Sequence, residues 1–258
     1  MPSVNAMLTD RDGITWIGAD NGLFSFDGNT FSAYRVSPDV NGSTIGCLYI
    51  DFESSLWLGT HRGLFRFRGN GFASYGEQDG LTSSFIFGIT KDKEGNLWSC
   101  SQNKGVFKYN ANLDDQTGQK NAFTPVTKSQ GLASDNTYSA ITLPGGEVFI
   151  GTDKGVSKIV NGTITNYTRK DGLFSDSVNC FMIDRTGRLW MAGGRGLTVM
   201  EKNGEFKSFV ITDFPKENFD VWTLHQDRTG KIWAGTYPAG LFSFNPEAGD
   251  KTFTDERK

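Results

Sequence analysis

Two histidines, three cysteines and a balanced set of charges bound the chemistry open to this 258-residue chain. A hydrolase or lyase needs a general acid and base, or a metal held by converging histidines and carboxylates. His61 stands beside Arg62 in a turn, and no second imidazole is expected next to it. His225 falls inside a strand-like stretch eight residues before Trp233, where a buried position or one lining a channel is expected. Patterns of the G-x-S-x-G, H-E-x-x-H and phosphate-loop kinds do not occur. Cys47, Cys100 and Cys180 are odd in number and contain no C-x-x-C spacing, so they read as free, inert thiols rather than a disulfide framework or a thiolate zinc site. No catalytic residue, metal or cofactor is expected on these grounds.

Recognition chemistry is better represented. His61-Arg62, Asn103-Lys104, Asp153-Lys154, Arg195 and Tyr237 fall in short turns that differ from one another within a framework that does not. Variable loops on a constant scaffold are where binding specificity is usually written. A second variable column holds Asn5, Gly46, Phe87, Tyr138, Asn179 and Trp222. Aromatics mixed with amides suit a sugar ring, which stacks its C–H face and satisfies its hydroxyls with Asn, Asp and Arg. The candidate ligand-binding residues are therefore His61, Arg62, Asn103, Lys104, Tyr138, Asp153, Lys154, Arg195, Trp222 and Tyr237. Arg62, Lys104, Lys154 and Arg195 would give one rim a local positive bias suited to an anionic saccharide.

The elements that position these residues derive from an internal repeat. Trp16, Trp57, Trp98, Phe149, Trp190 and Trp233 recur at intervals of 41, 41, 51, 41 and 43 residues, and the long interval contains a polar stretch at 110–120 readable as a lengthened turn. Within each repeat β-branched and aromatic residues alternate between Gly, Asp and Asn turn signals, and no stretch keeps a helical period. The second repeat predicts strands A to D at 45–51, 56–60, 64–68 and 72–75. Six such units of four strands specify an all-β, six-bladed β-propeller with four antiparallel strands per blade. The chain then forms one domain, 1–258, with repeats at about 1–41, 42–82, 83–133, 134–174, 175–217 and 218–258. Each blade should be made from consecutive chain.

The same alignment gives most conspicuous residues structural work. The aromatic column should plug the space between blades. An Asp six residues before it (Asp10, Asp51, Asp92, Asp184, Asp227) should cap the A–B turn, while Leu143-Pro144-Gly145-Gly146 replaces that Asp in the fourth unit. In a propeller the B–C turns and D–A links share one face, which makes that face the candidate for binding.

The unit D-x-x-G-x-L-W-x-G-T-x-x-G-L-F-R-F resembles the two-component regulator propeller repeat of bacterial sensor proteins. The motif returns through Asp92–Trp98, Asp184–Trp190 and Asp227–Trp233, with links Asp79-Gly80-Leu81, Gln130-Gly131-Leu132 and Asp171-Gly172-Leu173. That resemblance implies a non-catalytic, ligand-sensing module of a hybrid histidine kinase. It further implies a periplasmic or extracellular setting, an oligosaccharide or other small polar ligand, and a signalling partner or fused output domain. Sensors of the family run to about twice as many repeats. Alternatives are a lyase- or hydrolase-like enzyme, streptogramin lyases being propellers with similar Gly–Trp repeats, a protein-interaction scaffold, or part of a larger array.

Charge and hydropathy add exclusions. Lys plus Arg is 26 against 29 Asp plus Glu, a net charge of −3, too balanced for a face that holds nucleic-acid phosphates. No run approaches the roughly 20 apolar residues of a membrane span, and the opening Met1-Pro2-Ser3-Val4-Asn5 has neither a basic nor an apolar signal region. No membrane contact is expected from this segment.

Overall fold

Alternation of large apolar with small or polar residues at period two leaves strands as the way to bury both faces of each repeat. The computed structural model describes residues 3–34, 43–68, 71–83, 85–110, 122–194, 196–210, 219–248 and 253–256. It resolves into two compact units, Met1–Gln130 with Asp135–Thr137, and Gly131–Ser134 with Tyr138–Lys258.

The first unit holds three four-stranded sheets. They are β1 (Val4–Thr9), β2 (Thr15–Ala19), β3 (Gly22–Phe26) and β4 (Phe31–Tyr34); β5 (Ile45–Ile50), β6 (Leu56–Thr60), β7 (Gly63–Arg68) and β8 (Gly71–Tyr75); and β9 (Ile86–Lys91), β10 (Leu97–Ser101), β11 (Val106–Tyr109) and β12 (Phe123–Val126). The second unit carries β13 (Thr137–Thr142, Thr137 itself clustering with the first unit), β14 (Val148–Thr152), β15 (Gly155–Val160) and β16 (Thr163–Tyr167). Its other sheets are β17 (Cys180–Ile183), β18 (Leu189–Gly193), β19 (Gly196–Met200) and β20 (Phe206–Val210), then β21 (Asp220–Gln226), β22 (Ile232–Tyr237), β23 (Gly240–Phe244) and β24 (Thr254–Asp255).

Every sheet keeps its strands in chain order, and neighbouring strands run antiparallel. These are the blades of a six-bladed β-propeller, as the repeat predicts. The expected strands of the second repeat match β5 to β8 to within one residue at each end. The polar insertion at 111–120 lies outside the described residues. Its flanks pair Tyr109 with Phe123, so it joins β11 to β12, the place the repeat assigns to a lengthened turn.

The aromatic column packs between neighbouring sheets inside each unit. Trp16 meets Phe67 of the next sheet with ring centroids 5.9 Å apart, Trp57 meets Tyr109 at 5.6 Å, and Trp190 meets Phe244 at 5.5 Å. Phe149 is fully buried among Leu173, Val178, Met191 and Phe206. The Asp six residues earlier does more than cap a turn. In the second blade Oδ1 of Asp51 accepts the backbone N–H groups of Glu53 and Ser55, and its Oδ2 accepts the indole N–H of Trp57 at 2.9 Å. The indole bond recurs from Trp16 to Asp10, Trp98 to Asp92, Trp190 to Asp184 and Trp233 to Asp227. The fourth blade, whose column residue is Phe149, has no indole N–H to satisfy and carries Leu143 instead. Its turn still closes through Leu143 N–H to the Glu147 carbonyl and Gly146 N–H to that of Leu143.

Candidate functional site

Four of the B–C turns are closed from below by a hydroxyl at the end of the second strand of the blade. Thr60 donates to the Gly63 carbonyl at 3.0 Å while accepting the Arg62 N–H at 2.9 Å. Thr152 does the same to Gly155 and Lys154, and Ser101 and Thr236 donate to Gly105 and Gly240. The turn is thereby held without using the side chains at its tip. His61, Arg62, Asn103, Lys104 and Lys154 are all exposed. Asn103 sits at φ 60, so its place in the turn answers to backbone conformation, which Asn tolerates in the left-handed region.

The first residues of each opening strand carry the second variable column, and there the structure shows a feature the alternation concealed. The ladder slips between Val4 and Ala6, Ile45 and Cys47, Ile86 and Gly88, and Val221 and Thr223. Asn5, Gly46, Phe87 and Trp222 are thus the extra residues of β-bulges, which re-aim a side chain out of the regular pleat. The slip also shifts the faces taken by later residues of the strand. Trp222 and Thr223 are both exposed, and so is His225, so of the two positions expected for that histidine the buried one is not the one found.

The amides of the column are engaged in structure. Nδ2 of Asn5 donates to the Ile45 carbonyl and to Asp20, and Nδ2 of Asn179 donates to the Val221 carbonyl. Each reaches the carbonyl just before the bulge of the next blade, so both amide nitrogens serve the packing of one blade on the next. The strand glycines serve the same approach. A Cβ on Gly59 would come within 3.0 Å of the Ile86 carbonyl oxygen and 2.8 Å of its Cγ2. Cys47 and Cys180 lie in the opening strands and Cys100 takes the glycine position in the third blade. All three are free, and burial pushes the Cys47 and Cys180 thiols up to about 12 and the Cys100 thiol up as well.

In the first unit, the turn and link residues meet on one face. The His61 ring lies 4.7 Å from that of Phe85, which stands at the end of a D–A link, and the hydrogen bond from Asn5 foremost holds the Asp20 carboxyl below its usual range. Arg62 lines a cleft of about 670 Å³ with Phe65, Tyr75, Glu77, Gln78 and Asp79. The link itself is self-contained: Asp79 accepts the Gly76 N–H, as Gln130 and Asp171 accept those of Thr127 and Thr168. The Leu that ends each of these links, Leu81, Leu132 or Leu173, is buried.

In the second unit a different chemistry gathers. Tyr138 and Trp222 meet edge to face, centroids 6.4 Å apart at 71°. Burial raises the Tyr138 phenol, and the carboxylates of Asp153 and Asp220 raise it further. Asp220 pairs across the strand with Tyr237, which is 74% exposed, while Trp222 is 51% exposed. Oδ1 of Asp153 is shut off from solvent without a hydrogen-bond partner. Of the residues expected to bind, Tyr138, Asp153, Trp222 and Tyr237 therefore share one neighbourhood. Lys154 is at its edge in sequence, and Arg195 lies outside the described residues. Asp220 is absent from the set that sequence alone nominates, although its place two residues before a bulge is a signal once the bulge is known.

On the opposite face of the second unit several charges pair with one another. Arg188 pairs with Asp184 at 2.7 Å, Lys207 with Glu201 at 3.2 Å, and Lys231 with Glu256 at 2.8 Å. A cleft of about 410 Å³ there is lined by Arg188, Glu201 and Lys207 among others. Among the described residues Lys104 and Lys154, on the B–C face, have no ion-pair partner. No helix among the described residues is long and apolar enough to cross a membrane.

Residues 172–195 match the family model for the two component regulator propeller. No curated protein matches the chain in sequence. Among solved structures, the chain is similar to the extracellular domain of the hybrid two component system BT4673 from B. thetaiotaomicron, at 22% identity and a TM-score of 0.83, covering 100% of this chain and 36% of that one. It is similar also to the extracellular domain of BT3049 from the same organism, at 21% identity and a TM-score of 0.82, covering 96% and 34%. Virginiamycin B lyase from Staphylococcus aureus shares the fold at 13% identity and a TM-score of 0.66, covering 94% and 84%. The chain spans about a third of the length of the two-component relatives. It resembles the two component regulator propeller family, matches that repeat at residues 172–195, and is similar in fold to about a third of the length of the extracellular domains of hybrid two component systems.

Proposed function

We propose that the chain is a non-catalytic, ligand-sensing propeller that reads a small polar ligand, an oligosaccharide foremost, at the face made by its B–C turns and D–A links. The observation that carries this reading is the β-bulge that turns Trp222 outward beside Tyr138, with Asp153 and Asp220 next to them. An exposed aromatic ring with flanking carboxylates offers stacking to a sugar face and acceptors to its hydroxyls. The repeat at 172–195 and the likeness to sensor domains support a place outside the cytoplasm, with a signalling module as partner. A lyase-like reading rests on shared fold alone, and fold does not carry function.

Thermal shift of the purified chain against neutral and anionic oligosaccharides tests the reading, because a ligand that binds only the native state raises apparent stability. A shift that disappears in Trp222→Ala and weakens in Tyr138→Phe is the expected result. A ligand whose shift survives both substitutions would overturn the assignment of the face.

A further inference from the structure

The aromatic and acidic cluster of the second unit has a charge that its sequence neighbourhood hides. Lys154 comes directly after Asp153, yet no ion pair joins them, and among the described residues neither Asp153 nor Asp220 has a cationic partner. The two carboxylates act on one phenol, that of Tyr138. One carboxylate oxygen, Oδ1 of Asp153, is buried with no donor to meet it. A carboxylate with one oxygen buried and unpaired is costly in a protein, and a positive charge brought near it repays part of that cost. Tyr138, the phenol on which Asp153 acts, meets Trp222 edge to face, and Asp220, two residues before Trp222, faces Tyr237 across the ladder. Trp222 and Tyr237 are large aromatics left half or more exposed. Aromatic faces beside carboxylates are the arrangement that binds an ammonium group, by cation–π attraction and charge together.

We propose that Tyr138, Asp153, Asp220, Trp222 and Tyr237 form a site for a ligand bearing a positively charged amine. This rests on the proposed sensing function and narrows its ligand class; an anionic saccharide would meet two uncompensated carboxylates here.

The probes are choline and its uncharged isostere 3,3-dimethylbutan-1-ol, titrated into the whole chain at matched ionic strength and followed by ligand-observed NMR. Choline should bind at least about tenfold more tightly than the isostere, a difference of about 1.4 kcal/mol. Asp153→Asn and Asp220→Asn should each cut choline affinity severalfold and leave the isostere unchanged, with circular dichroism verifying the fold. Trp222→Ala should weaken both probes. Equal binding of the two probes, no binding of choline, or choline binding indifferent to both Asp→Asn changes would overturn the charge assignment. A neutral oligosaccharide that still depends on Trp222 in that case would leave the sensing function in place. Loss of Trp222 dependence for saccharide and choline alike would overturn both.

Discussion

The indole nitrogen of Trp57 donates to Oδ2 of Asp51 at 2.9 Å, across six residues and one turn, while Oδ1 of the same carboxylate holds the backbone of that turn. One side chain thus ties a hairpin to the aromatic plug between two blades. Asp51→Ala should lower the unfolding free energy by about 1–3 kcal/mol, since it leaves a buried indole N–H unpaired. In a Trp57→Phe background the same change should cost measurably less, because the donor is gone. Denaturant unfolding of the four proteins of this cycle checks the coupling, and strictly additive losses would refute it.

Acid should expose the same device in the fifth blade. Burial opposes the charge of Asp184, but hydrogen bonds from Trp190, Thr186 and Arg188 outweigh it and hold the carboxyl down at about 2. A folded pKa below the unfolded one contributes stability that is present above about 4 and lost as pH falls toward 2. Asp184→Asn should flatten that part of the stability profile measured by thermal unfolding between pH 5 and 2. An unchanged slope would count against the pairing.

The thiols should be slow to react. With Cys47 and Cys180 pushed up to about 12 by burial, almost no thiolate exists at pH 8. Thiol titration should find three groups in denaturant without reductant and few or none in the native state. Rapid labelling of the folded protein would contradict this packing.

Gly59→Ala should destabilise by about 1–3 kcal/mol, because the added methyl meets the Cys47 sulfur of its own blade and the Ile86 side chain and carbonyl of the next. Arg62→Ala and Lys154→Ala, at exposed turn tips, should leave the unfolding midpoint within about 0.5 kcal/mol of the parent. Chemical denaturation separates the two classes directly, and reversal of their order would mean that the B–C turns, not the strand glycines, hold neighbouring sheets together.

Much of the architecture is written in local patterns. A Trp recurring every 41 or so residues, an Asp six places before it and a Gly two places after it need no distant information, because strands, turns and caps are made by neighbours in the chain. For that reason the blade count and the strand limits of the second repeat are legible directly, as is the closure of the Asp-less fourth turn. Positions decided by contacts between blades are not. Asn179 looks like a ligand amide until Val221, 42 residues on, takes its hydrogen bond. Asp220 looks like an ordinary strand-edge acid until the bulge at Trp222 and the approach of Tyr138 make it part of a cluster. A bulge leaves almost no mark on composition, since it depends on register between two strands, and the charge of a site depends on which turns converge. The repeat therefore determined the scaffold. Packing between sheets within each unit decided which variable residues hold the scaffold together and which remain free to bind.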